Sequence, residues 1–298
     1  MDVGLIGLGK MGYPLALNMR DHGHRVVAYS RSPEKAAQFS AEGLEGTSNL
    51  ESLVINLPGR KLIWLMVPAG DAVDKMIEQL TPLLAEGDII IDGGNSHYRD
   101  TVRRSSGLQP RGINYVDAGI SGGPSGARSG ACIMVGAGPE TFTFLEPLFK
   151  DVSIEGGCLR VGSSGAGHYV KMVHNGIEYG MMQAIAEGFE LMDSGPYDLD
   201  FHELSGLWNR GSVIRSWLIE LTARIFAEDP ALEKIKGVTG SSGTGLWTVE
   251  EALLREVPLP AITQALYARY RSRQENTFSN RLVAGLRREF GGHDVEEA

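Results

Sequence analysis

The chain of 298 residues has only two cysteines, Cys132 and Cys158. Two thiols cannot frame a chain this long with disulfides, so two buried thiols in a reducing cytoplasm are expected. No apolar run reaches the roughly 20 residues that a membrane-spanning helix needs. No basic stretch followed by an apolar one opens the sequence; its first residues already read as a strand, and no signal peptide is expected. Basic residues are the minority charge, 28 Lys and Arg against 37 Asp and Glu, for a net −9. That balance argues against a general binder of nucleic acid or membrane surfaces, and leaves room for a local basic pocket for a small anion. Metal-ligand spacing of His, Cys or carboxylates is absent, as are internal repeats and low-complexity tracts.

What is abundant is glycine, at 39 residues, in a chain with an ordinary apolar fraction of 42%. Many tight turns and close backbone approaches follow. Val3–Leu8 is apolar, Gly7, Gly9 and Gly12 punctuate its end, Pro14–Arg20 has helical spacing, and Arg25–Tyr29 is apolar and β-branched. This is strand, glycine turn, helix, strand. Further strands are predicted at Leu62–Val67, Asp88–Asp92, Asn114–Asp117 and Ala131–Val135, with helical segments between, such as Ala69–Leu84. The alternation predicts an α/β Rossmann-type, doubly wound, mostly parallel sheet. Near residue 165 the pattern changes. A long helix is predicted from about His168 to Met192, then helices to about Phe290, with loops at Ser194–Asp198 and Gly237–Gly245. The expected domains are 1–164, dinucleotide-binding, and 165–298, all-helical. Asp294–Ala298 reads as a frayed acidic tail.

The turn Gly7-Leu8-Gly9-Lys10-Met11-Gly12 follows a strand and opens a helix. In that context the first glycine permits the turn, the second admits a pyrophosphate, the third lets helix and sheet approach, and the helix N-terminus faces the anion. An NAD-selective site usually carries an acid about 20 residues on; here Ser30-Arg31-Ser32 stands there instead. A 2′-phosphate would be repelled by an acid and bound by these residues, which favours NADP, with NAD possible. The alternative, Arg31 stacked on adenine, suits either cofactor. Val67, ending the next strand, is a further cofactor candidate. Two more loops follow strands, where open α/β sheets bind ligands: Asp92-Gly93-Gly94-Asn95-Ser96 and Ser121-Gly122-Gly123-Pro124. Spacing alone leaves them equally readable as ordinary turns.

Lys171, His174, Asn175 and Glu178 fall at i, i+3, i+4 and i+7 of the long helix, on one face. Apolar neighbours such as Val170, Met172, Val173, Ile177, Met181 and Met182 predict burial rather than a solvated stripe. Oxidation of an alcohol by hydride transfer needs a base for the hydroxyl proton, and a desolvated lysine can take that role, with a nearby carboxylic acid as second proton carrier.

With these motifs in place the chain resembles 6-phosphogluconate dehydrogenase, decarboxylating, of the β-hydroxyacid dehydrogenase superfamily. The matching stretches are GLGKMG, DIIIDGGNSHYRDT, SGG, KMVHNGIEYGMMQ, GTGLWT and RREFGGH, in the family's order over nearly the whole chain. The resemblance implies oxidation of the 3-hydroxyl of 6-phosphogluconate, loss of carbon dioxide from the 3-keto acid, and protonation of the enediol to ribulose 5-phosphate, with no metal. It implies Lys171 as base and then acid, and Glu178 as the acid that protonates the enediol. Asn95, Ser121, Gly122, Gly123, His174 and Asn175 would hold the substrate, and Asn95 would also meet the cofactor. Tyr179 and Arg269, the latter in ALYARY, would meet the phosphate. Arg287 and His293 would reach it from a neighbouring subunit, which implies a homodimer, or a dimer of dimers, with a shared active site. Without the resemblance, the alternative for Arg269 and Arg287 is solvent-facing helix charge.

There are departures from the long form, whose helical domain is roughly doubled; this chain looks like the short form. Ser242 stands where the long form has a lysine before GTG, and Pro68 where it has one beside the cofactor. Short-form members often prefer NAD, against the reading of Ser30-Arg31-Ser32. Two other functions compete: a dehydrogenase for an unphosphorylated acid such as 3-hydroxyisobutyrate, and a catalytically silent NADP-binding regulator.

Overall fold

The computed structural model describes residues 1–296. The last two positions of the tail expected over 294–298 lie outside the described residues. Two compact units make up the chain, Met1–Asn175 and Gly176–Ala298.

The first unit is built on one sheet of eight strands: β1 (Asp2–Ile6), β2 (Arg25–Tyr29), β3 (Glu45–Thr47), β4 (Leu62–Leu65), β5 (Ile89–Asp92), β6 (Asn114–Ser121), β7 (Ala131–Gly136) and β8 (Ser153–Gly162). Their spatial order is β3-β2-β1-β4-β5-β6-β7-β8. Every neighbouring pair is parallel except β6 with β7. The order reverses direction at β1, with β2 and β3 on one side and β4 on the other, which opens a crevice at the strands' C-terminal ends. Helices α1 (Gly12–Asp21), α2 (Pro33–Ala41), α3 (Leu50–Ile55), α4 (Asp71–Leu80), α5 (Tyr98–Leu108), α6 (Gly123–Ser129) and α7 (Pro139–Asp151) connect the strands.

The strands are apolar because both faces are covered. Val3, Leu5, Leu62, Trp64, Ile89 and Ile91 enter one core cluster with Leu15, Met19 and Phe149. Ile6, Ile63, Leu65 and Ile90 enter the other with Leu53 and Leu80. Alternation of period two therefore persists inside runs that read as uniformly apolar.

The doubly wound sheet agrees with the sequence reading; several bounds do not. β1 stops at Ile6 and β4 at Leu65, short of Leu8 and Val67, because the chain turns into the ligand crevice there. The helix predicted over Ala69–Leu84 is α4 followed by a 3-10 turn, Thr81–Leu83, where Pro82 denies the α-helix a backbone donor. β6 runs on to Ser121, and β3 and β8 were not anticipated.

The long helix α8 spans Ala166–Asp193, and the division between the units falls inside it. After it come α9 (Phe201–Gly211), α10 (Trp217–Glu228), α11 (Gly243–Leu254), α12 (Pro260–Arg271) and α13 (Phe278–Gly291). Side-chain caps start α9, α10 and α13: Asp200, Ser216 and Thr277 accept from the backbone of Glu203, Ile219 and Asn280. The loop predicted over Gly237–Gly245 ends early, since α11 begins at Gly243. Gly243 and Gly245 signalled a loop but lie in the first turn of a helix, while Gly237 and Gly240 stay in the loop. Tyr179, Val249, Ala265 and Leu266 form a core cluster of this unit.

Among the described residues, no helix is long and apolar enough to cross a membrane, and no group of three or more His, Cys, Asp or Glu could hold a metal ion. Both cysteines are free, but against the expectation of two buried thiols Cys132 is exposed and Cys158 only half-buried, because Cys132 takes an outward position in β7; partial burial pushes the Cys158 thiol up to about 11.

Candidate active site

At the C-terminal ends of β1, β2 and β4 lies a cavity of about 770 Å³. Gly7, Leu8 and Gly9 line it, with Ser30, Arg31 and Val67. Gly7 has φ of +98°, and a Cβ there would lie 2.5 Å from the Met66 carbonyl oxygen. At Gly12 a Cβ would stand 2.2 Å from the Gly7 carbonyl oxygen, so only glycine lets α1 start this close to the strand end. A Cβ at Gly9 would meet nothing within 4 Å. The space above Gly9 fits a pyrophosphate approaching the N-terminus of α1. Of the remaining candidates in this turn, Lys10 is exposed and Met11, the N-cap of α1, packs against the core.

The end of β2 is arranged differently from expectation in one respect. The Ser30 hydroxyl accepts from the Ser32 amide at 3.2 Å. Ser32 is the N-cap of α2: its hydroxyl accepts from the Lys35 amide and donates to the Glu34 carboxylate at 2.5 Å. It is thereby occupied, and Arg31 alone of the three is an exposed cation at the cavity. Lys35 and Lys75 also line the cavity, with Asp71. Sequence reading missed both lysines, which reach the crevice from α2 and α4 rather than from a strand end.

Asp92 closes β5 with its side chain fully buried. Its carboxylate accepts from the Ser96 hydroxyl at 2.7 Å, the Tyr115 hydroxyl at 2.8 Å and the Gly94 amide at 3.1 Å. The loop is thus wound around the carboxylate, and Asn95 is left exposed at its tip. Arg104 of α5 buttresses it. This buried guanidinium lies 3.7 Å from Asp92, donates to Ser96 at 3.3 Å, and holds Asp74 and the Gly70 carbonyl at 2.9 and 3.1 Å. Burial works against its charge, but the bonds to Asp74 and the nearby carboxylates outweigh this and raise its pKa; the same bond holds the Asp74 carboxyl below the usual range. The loops after β4 and β5 are therefore tied to one cation.

The start of α8 is seated on β6 and β7. A Cβ at Gly167 would lie 2.5 Å from the Met134 carbonyl oxygen and 2.7 Å from that of Asp117. Asp117, buried in β6, accepts from the Gly165 and His168 amides at 2.6 and 2.8 Å, so a strand residue caps the helix. Burial pushes its carboxyl up from the ordinary carboxylate range, against the pull of His168 and these two amides. One turn on, Lys171 is 6% exposed and Asn175 8%. The Ser121 hydroxyl lies 3.1 Å from His174 Nε2, while Nδ1 of the same ring lies 3.0 Å from Asn175 Oδ1 and 3.4 Å from Lys171 Nζ. Ser121, Lys171, His174 and Asn175 thus form one polar chain. Gly122 and Gly123, with φ of +116° and +60°, carry the backbone from β6 into α6. Because α8 is unbroken, Glu178 lies on the same helix, half-buried.

In the second unit, Tyr179 is buried and the Arg269 guanidinium lies over its ring, 3.5 Å from the centroid. Arg269 donates to the Gly240 carbonyl at 2.9 Å. The Tyr179 hydroxyl is 3.4 Å from Ser242 Oγ, which is 2.8 Å from Thr244 Oγ1. Arg287, in α13, and His293, just past it, are exposed and stand outside this hydrogen-bonded cluster.

Comparison with known proteins gives the family. Residues 2–162 match the family model of the NAD binding domain of 6-phosphogluconate dehydrogenase, and residues 167–294 the 6-phosphogluconate dehydrogenase C-terminal domain. A Bacillus subtilis protein provisionally named a 6-phosphogluconate dehydrogenase is 48% identical over 297 residues, covering 100% of both chains. The NAD(+)-dependent, decarboxylating 6-phosphogluconate dehydrogenase of Haloferax volcanii is 46% identical over 99% of this chain and 98% of its own. Among solved structures, Plasmodium falciparum 6-phosphogluconate dehydrogenase, described in apo form, with NADP+ and with 6-phosphogluconate, superposes with a TM-score of 0.85 at 33% identity. The match covers 100% of this chain and 66% of the Plasmodium chain. The chain belongs to the 6-phosphogluconate dehydrogenase family, with a nicotinamide-dinucleotide-binding sheet domain followed by the family's helical C-terminal domain.

Proposed function

We propose that this chain oxidises and decarboxylates 6-phosphogluconate to ribulose 5-phosphate with reduction of a nicotinamide dinucleotide. The observation that carries the reading is the Ser121–His174–Lys171–Asn175 chain at the glycine-seated start of α8. Residues 1–164 serve the dinucleotide and 165–298 the substrate and dimerisation. A nicotinamide dinucleotide held at the Gly7–Gly12 turn would supply the acceptor for the hydride of C3. Lys171 takes the proton of the 3-hydroxyl as that hydride leaves. His174 Nδ1 lies within reach of Lys171 Nζ and Asn175 Oδ1, so the ring ties the amine to the asparagine while its other nitrogen meets Ser121. The resulting β-keto acid breaks its C–C bond with the electron pair delocalised onto the ketone oxygen, to which Lys171 returns its proton. Glu178 then protonates the enediol carbon. Asn95, Ser121, Gly122, Gly123, His174 and Asn175 hold the hydroxyls and carboxylate; Asn95 also faces the cofactor.

Tyr179 and Arg269 take the phosphate. Arg287 and His293, exposed in the single chain, serve a second copy's site, which makes the working form a homodimer or a dimer of dimers. Gly7 to Gly12, Ser30 to Ser32 and Val67 contact the dinucleotide. Arg31, Lys35 and Lys75 around the cavity support NADP, with Asp71 the one carboxylate among them. The Haloferax relative's NAD(+) dependence keeps NAD in the test. Purified protein is incubated with 6-phosphogluconate and either NAD or NADP, and reduced cofactor and carbon dioxide are followed together. Equal amounts of both products are expected. Turnover of 3-hydroxyisobutyrate in preference to 6-phosphogluconate, or cofactor binding without reduction by any sugar acid, would overturn the reading.

A further inference from the structure

We propose that Arg273 is a second phosphate-binding cation that this chain brings to its own site, beside Arg269, and that it sets the preference for a phosphorylated over an unphosphorylated acid. The proposal rests on the reading that the Tyr179–Arg269 cluster takes the phosphate. Arg273 lies two residues past the end of α12, one helical turn after Arg269. Its Nη2 donates to Ser241 Oγ at 3.1 Å and its Nε to the Arg269 carbonyl oxygen at 3.3 Å. Arg269 holds Gly240, and the Tyr179 hydroxyl lies beside Ser242. Two guanidiniums and one phenol therefore meet three consecutive residues, 240–242. The Thr239 amide donates to Ser272 Oγ at 3.0 Å, which anchors this loop to the same turn.

Charge decides what the arrangement suits. A phosphate monoester carries close to two negative charges at neutral pH and offers three strong acceptor oxygens. Arg269 brings one positive charge, and its guanidinium is already committed to a ring face and a carbonyl. The hydroxyls of Ser242 and Thr244 add donors without charge. Arg287 and His293 come only from a second copy, so this chain's own contribution from α12 would otherwise be one cation, a weak trap for a dianion in a chain of net −9. Arg273 is exposed, so a ligand can reach it, and its two hydrogen bonds leave the other N–H donors of its fork to bind one. The same loop thus gathers a second charge at its open side.

The test separates charge from loop anchoring. Arg273→Ala and Arg273→Gln are compared with Ser241→Ala, and with Ser242→Lys placed in the Arg273→Ala chain. Glutamine can still donate to Ser241 but carries no charge; Ser241→Ala removes the hydrogen bond and keeps the charge; Ser242→Lys returns a charge to the cluster without the Ser241 bond. Both Arg273 variants should raise KM for 6-phosphogluconate about tenfold, with kcat held within about twofold and KM for the dinucleotide unchanged. Competitive inhibition by inorganic phosphate should weaken by a similar factor, and the effect should shrink as salt is raised. Ser241→Ala should stay close to wild type, and Ser242→Lys should recover most of the loss. A wild-type KM in Arg273→Ala, with 6-phosphogluconate still turned over, overturns the role of Arg273 alone. Ser241→Ala as damaging as Arg273→Ala would reduce Arg273 to a loop anchor. A wild-type chain that turns over no 6-phosphogluconate ends the underlying reading and this proposal together.

Discussion

Asp117→Asn tests how the catalytic helix is held. The wild-type carboxylate accepts from the Gly165 and His168 amides at 2.6 and 2.8 Å, inside the sheet domain. Asparagine can accept from one of them through Oδ1; its amide nitrogen then faces the other amide donor to donor. A hydrogen bond to a charged group contributes about 1.5–3 kcal/mol, and the bond that survives weakens to that of a neutral acceptor. Against this, the variant no longer buries an ionised carboxylate, a cost visible in the upward displacement of the Asp117 pKa. The net expectation is a loss of about 2 kcal/mol, or a fall in Tm of roughly 4–8 °C for a unit of this size. The pH dependence has a definite sign. A carboxyl whose folded pKa lies above its ordinary value of 3.8 favours folding below that value, and this contribution is lost as pH rises through the folded pKa. The asparagine variant lacks this term, so its deficit should be larger near pH 4 than near pH 8, read from denaturant midpoints. Turnover should fall with stability, because Lys171 sits one turn from the cap. A Tm within about 1 °C of wild type at neutral pH would refute the account of how α8 is anchored.

Lys171→Ala should lower kcat by about a thousandfold while the dissociation constant for the dinucleotide, read by fluorescence titration, stays put; retained turnover removes the lysine from its role. Glu178→Gln should stall protonation of the enediol, so that ribulose 5-phosphate forms far more slowly in a direct product assay. Arg31→Ala should raise KM for NADP about tenfold and leave KM for NAD nearly unchanged; equal effects on both would point to stacking on adenine instead. Arg104→Met should cost about 3–5 kcal/mol in chemical denaturation, since it takes the nearby cation from buried Asp92 and leaves Asp74 only the exposed Arg103.

Residues whose type is itself the constraint were legible. Gly7 and Gly12 sit where a Cβ would strike backbone, so the glycine pattern and the geometry carry the same information. The face Lys171–His174–Asn175–Glu178 was likewise readable, because helical spacing alone aligns it. The contact from His174 to Ser121 spans 53 residues, and no local pattern announces it. Asp92 and Asp117 read as ordinary strand-end acids; their work as a loop core and a helix cap depends on partners from other elements. β8 escaped notice because an edge strand covered on few sides has no apolar alternation: Glu155, Gly156 and Gly157 interrupt it. Lys35 and Lys75 were missed for a related reason. They lie on exposed helix positions that only the winding of the chain turns toward the crevice.

The link from Asp92 through Arg104 to Asp74 and Gly70 has a consequence for affinity. Two loops at the C-terminal ends of neighbouring strands share one buried ion, so neither can open without stranding the charge that serves the other. Loops free to wander would have to be stilled when the cofactor arrives, at a cost in entropy taken from the binding energy. Here that ordering is completed during folding. Cofactor binding should accordingly proceed with little backbone rearrangement after β4 and β5, and a fast, nearly rigid capture becomes the natural kinetic behaviour of this end of the sheet.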